Sequence, residues 1–108
     1  MDFVTNKQNT TQPCAALSIY IELHKLTQHG KLLITENDEE AQAAAKDAIE
    51  QALLLKKAVK AFFANPSKEN QDTFWQTHHA AIEKISIHRN YKKLPLTILA
   101  NIAFVIAT

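Results

Sequence analysis

The sequence predicts an all-α fold, an antiparallel four-helix bundle-like domain, and three observations carry that prediction. Apolar residues recur at spacings of three and four along most of the chain. A single glycine, Gly30, stands among 108 residues, and the three prolines, Pro13, Pro66 and Pro95, each sit where an amphipathic pattern begins rather than inside one. Sixteen of the apolar residues are alanine and only three are valine. The Gly and Pro punctuation that hairpins and Greek keys require is missing, which excludes an all-β or phosphate-loop fold.

Residues 1–12, MDFVTNKQNTTQ, are polar and aperiodic and read as a flexible leader ahead of one domain over residues 13–108. They hold no apolar core of the length a classical signal peptide needs. The first helix is expected over residues 13–29. Pro13 lies in its first turn, Ala16, Ile19, Tyr20, Leu23 and Leu26 form its apolar face, and Gly30 ends it as a left-handed cap.

The second helix is expected over residues 36–64. Thr35 followed by Asp38 resembles a capping box, and Glu36, Asp38, Glu39 and Glu40 place negative charge at the positive end of the helix dipole. Lys56, Lys57 and Lys60 supply the opposite charge towards the other end. Such a helix spans about 43 Å. Along it Ala41, Ala45, Ala48, Ala52, Leu55, Val59 and Phe62 fall at strict four-three spacing, a seam narrow at one end and bulky at the other, so a partner helix can approach closely at the alanine end.

Asn65 as N-cap and Pro66 in the first turn open a third helix over residues 66–88, whose Phe74, His78, Ala81, Ile85 and His88 repeat at four, three, four and three. Asn90 closes it. The fourth helix, residues 95–108, is apolar on nearly all faces, which implies burial on more than one side. It stops at Ile106-Ala107-Thr108 without a Gly, a basic last turn or a polar tail, the pattern of a fragment truncated after 108.

Composition narrows function. Twelve Lys and Arg against eleven Asp and Glu leave +1, no field to attract a nucleic acid backbone. One cysteine, Cys14, fits a reducing compartment and has no basic neighbour to activate it. Two His ligands on one helix need a separation of three or four, whereas His24 and His29 are five apart, His78 and His79 adjacent, and His88 nine or ten further on. The four-residue pair His79 and Glu83 lacks the further inward carboxylates of a bundle metal site. A histidine phosphotransfer module carries Lys three residues after its His and Gly next, and none of the five histidines is so followed. No metal ligand, cofactor site or catalytic residue is therefore assigned.

Binding is better supported than catalysis. Trp75 beside Phe74 has polar neighbours in Gln71, Asp72, Gln76 and Thr77, and is either a cover for the Asn65-Pro66 turn or a partner-binding anchor. The stretch His88-Arg89-Asn90-Tyr91-Lys92-Lys93 is a basic, aromatic collar before an apolar run, the cue of a membrane flank. The fourteen residues from Leu94 to Ala107 reach only about 21 Å, short of a roughly 30 Å hydrocarbon core, so a buried helix is the better reading. Tyr91 in the collar and Leu96 and Phe104 on the surplus apolar face join Trp75 as candidate partner contacts, and self-association through that face is expected.

The turn FFANPSKENQDTFWQ and the stretch HRNYKKLPLTILANIAFVIAT, in a Gly-poor helical chain, resemble the helical segments of type IV secreted effector proteins of intracellular bacterial pathogens such as Legionella. The resemblance spans residues 53–108 and carries no catalytic motif. It implies a protein made in a bacterial cytoplasm and delivered into a host cell, where it binds a host protein or a membrane. The reading is a non-enzymatic helical interaction module. The alternatives are a membrane-associated effector fragment whose apolar C-terminus, residues 94–108, continues in the full protein, and a His-based phosphotransfer or metal-binding bundle.

Overall fold

The structure, a computed structural model, describes residues 11–107, with side chains from Ala15 onward. Most of the expected leader, Cys14's side chain and Thr108 lie outside the described residues. Four helices follow in order: α1 Thr11–Leu33, α2 Glu39–Ala64, α3 Lys68–Ser86 and α4 Lys93–Ala107. The described residues are otherwise turns and caps, with no strand. α1 packs on α2 and α4, and α3 on α2 and α4, so the helices close a ring in chain order. The short connections make neighbours antiparallel.

Several helix ends differ from expectation. α1 does not stop at Gly30 but continues to Leu33, and Gly30 has no positive φ. Its role is space: a Cβ there would lie 2.7 Å from Ile49 Cγ1 and 3.0 Å from the Ala45 carbonyl oxygen. The glycine lets α1 and α2 touch, and buried Leu33 justifies the extra turn.

Thr35 is not the cap of α2. Its hydroxyl donates backwards to the Leu32 carbonyl at 2.6 Å, closing α1, and Asp38 in extended backbone caps α2 by accepting from the Ala41 amide at 3.2 Å. α2 thus starts at Glu39 rather than 36. Asn65 likewise is the C-cap of α2, donating to the Ala61 carbonyl. The following Pro66 holds it extended, and Ser67 takes over as N-cap of α3, its Oγ accepting from the Asn70 amide at 3.1 Å. Asn70 ties the corner by donating to the carbonyls of both Asn65 and Ala61.

α3 ends at Ser86, before Asn90, and turns through Ile87–Lys92 bring the chain into α4 at Lys93, two residues before Pro95. Pro95 is still in the first turn, where its missing N–H leaves no bond unmade.

The core follows the periodicities. Ile19, Leu23 and Leu26 from α1, Ala48, Ala52, Leu55, Ala58 and Val59 from α2, Phe74, Ala81 and Ile85 from α3 and Ile98, Leu99 and Ile102 from α4 form one buried cluster. A second, smaller one of Leu33, Ala41, Ala44 and Ala45 lies at the other end of α2, with Tyr91 against it. The alanine seam is buried from Ala41 through Val59, and Phe62 is only half-buried, edge-on to Phe63. α4 buries Pro95, Ile98, Leu99 and Ile102, half-buries Leu96, Val105 and Ile106, and exposes Leu94 and Phe104.

Candidate functional site

Two of the five histidines are bound into the fold. His78 is buried in α3 and its Nε2–H donates to the Leu99 carbonyl of α4 at 2.7 Å. That acceptor has no proton to give, so it fixes the tautomer. His88 is buried just past α3 and its Nε2 lies 2.6 Å from Asp47 Oδ2 on α2. The helical repeat through His88 had the burial right although the helix stops two residues earlier. His24 and His79 are exposed, the first 3.2 Å from Gln28 and the second 3.6 Å from Glu83. The pair His79 and Glu83 is therefore on the surface, away from the bundle interior.

His29 is half-buried at the end of α1, its Nε2 shielded from solvent without a hydrogen-bond partner. Burial pushes its pKa below the ordinary range, against an opposing interaction with the Tyr91 backbone. Among the described residues no three His, Cys, Asp or Glu side chains converge as a metal site would require.

The α3–α4 connection is held by residues far apart in sequence. Tyr91 donates to Asp38 Oδ2 at 3.0 Å, so the carboxylate that caps α2 also anchors the connection. That bond raises the phenol pKa above its ordinary value. With His88 on Asp47 this makes two polar clasps between the connection and α2. Both fasten the connection to α2, and a cavity of about 370 Å³ lined by His29, Asn90, Tyr91 and Leu94 lies beside the Tyr91 clasp.

The proposed partner contacts are distributed differently. Trp75 is half-buried and packs edge-on against Phe74 at 4.9 Å and His78 at 5.7 Å, a lid on the core. Tyr91 and Leu96 are half-buried, the first in its clasp and the second against the main core. Phe104 alone of the four is exposed, at 71%. No helix among the described residues is long and apolar enough to cross a membrane.

A different surface stands out on α2. Leu53 and Leu54 are adjacent and exposed, at 62% and 48%. A groove of about 200 Å³ between α1 and α2, lined by Tyr20, Leu23, Ile49, Ala52 and Leu53, runs along one side. A second of about 470 Å³, between α2 and α3, is lined by Gln51, Leu54, Ala58, Ala61, Thr77 and Ala80 on the other. Gln51, a buried polar residue, lines the second groove. Sequence reasoning missed this surface because it followed the seam. The same helical repeat puts Leu53 and Leu54 opposite that seam, which was the available signal.

No protein family, curated protein or solved structure matches the chain.

Proposed function

We propose that this chain is a non-enzymatic helical interaction module that binds another protein through the outer face of its bundle. One observation carries the reading: two adjacent leucines stand exposed between two largely apolar grooves on the same helix. Contiguous apolar surface is costly to leave in water and marks contact sites. The histidines add support, since His78 and His88 spend ring nitrogens on internal bonds. By the resemblance of residues 53–108 to effector segments, the partner is a protein of a host cell into which a bacterium delivers this chain.

Photo-crosslinking tests the reading. A photoreactive side chain at position 53, in the full chain expressed in host cells, is expected to trap a protein that the same side chain at Glu83 does not. Equal trapping at both positions, or none at either, contradicts it.

A further inference from the structure

About its midpoint the outer face of α2 sets leucine against leucine and, one turn further out, an acid against a base. At about 100° per residue its centre lies opposite the buried seam, and the described side chains along it are exposed. Reflected about the midpoint between Leu53 and Leu54, Glu50 falls on Lys57, Lys46 on Ala61 and Ala43 on Ala64. Neither Glu50 nor Lys57 has an ion-pair partner among the described residues.

We infer that this face docks a second copy of the chain, α2 against α2, antiparallel about a two-fold axis between Leu53 and Leu54. The inference rests on the reading of this face as a contact surface and adds a second copy of the chain as an occupant that a host protein would displace. Charge selects the direction. In a parallel pair Glu50 would face Glu50 and Lys57 would face Lys57, whereas the antiparallel pair sets Glu50 against Lys57 twice. The axis keeps the α1 edges of both copies on one side, so each Leu53 meets its counterpart at the mouth of the α1–α2 groove and each Leu54 at the mouth of the α2–α3 groove.

Small residues at both ends, Ala43 opposite Ala64, let the helices approach. Against this, Lys46 lies near Lys60 of the second copy, and both are long enough to turn their ammonium groups into solvent. The face runs about 33 Å, and its single layer of side chains makes the dimer concentration-dependent.

Sedimentation of the full chain over a concentration series tests this, with circular dichroism confirming that each variant is folded. Glu50→Lys and Lys57→Glu should each weaken the dimer roughly tenfold, because the two-fold axis counts every substitution twice. The double variant should restore it. In a Cys14→Ser background Leu53→Cys should form a disulfide-linked dimer on mild oxidation. Lys46→Cys should not, because its two copies sit about 22 Å apart in the antiparallel pair.

A monomer at every concentration, a double variant no tighter than the singles, or cross-linking through position 46 as ready as through 53 overturns the inference. A monomer whose position 53 still traps a different protein sinks the dimer and leaves the interaction reading standing. A dimer that traps nothing else does the reverse.

Discussion

The two faces of α2 are built from similar residues and behave oppositely. Ala41, Ala45, Ala48, Ala52, Leu55 and Val59 are 0–3% exposed. Ala43, Leu53, Leu54 and Ala61 on the other side are exposed. Alanine and leucine appear on both, so composition does not tell inside from outside; spacing does. The inner set keeps a four-three repeat without a break, and its neighbours are sized to it. Gly30 and the alanines let α1 approach at one end, and Phe74, Ile98 and Leu99 fill the wider end. The outer set is interrupted by Lys46, Glu50 and Lys57, the pattern of a face that meets water or a transient partner.

Leucine truncation sharpens the contrast most. Leu55 is fully buried and Leu54 half exposed, one residue apart on the same helix. Leu55→Ala should cost about 2–5 kcal/mol, through lost burial and the cavity left behind. Leu54→Ala should stay within about 0.5 kcal/mol in a dilute monomer, since surface changes rarely exceed that. Urea denaturation of both variants measures the difference, and similar losses would mean that α2 has no distinct inside.

Gly30→Ala probes the close approach from the facing helix. Helix propensity alone favours alanine by about 1 kcal/mol. The new Cβ would however meet Ile49 Cγ1, whose position is restricted by the branched Cβ next to it, and a backbone oxygen, so a net loss of about 1 kcal/mol is expected from overpacking. A raised thermal midpoint would place α1 farther from α2 than the account allows.

Much of the bundle was legible because helical burial is periodic. The seam of α2 and the repeat of Phe74, His78, Ala81, Ile85 and His88 were read from spacing alone, and all five of the latter are buried. The helix ends were harder, since several residues can serve one cap and local geometry decides among them. Thr35, Asp38, Asn65 and Ser67 are all good caps. The bonds divide the roles: the Asn65 amide donates back to the Ala61 carbonyl, Ser67 Oγ accepts from the Asn70 amide, and Thr35 turns back to α1. Gly30 was read as a cap because its other use, clearance for Ile49, depends on a residue nineteen positions away.

The candidate surface was less legible. Trp75 has polar sequence neighbours, yet the rotation of one residue leaves its ring edge-on to Phe74 and shields it. Tyr91 looked like a collar residue, and its hydroxyl is taken by Asp38 across 53 positions, a contact without a local signal. Leu53 and Leu54 lie off the buried seam, and nothing in their immediate sequence neighbours sets them apart from the core residue Leu55.

The central claim is that α2 buries one alanine-lined face and presents the other, and one paired measurement tests it directly. Ala48 is 1% exposed and Ala43, about one and a half turns away, is exposed. In urea denaturation of the dilute chain, Ala48→Leu should lose about 1–3 kcal/mol by overpacking, while Ala43→Leu should shift stability by no more than about 0.5 kcal/mol. Equal effects, or a larger loss at Ala43, would contradict the account.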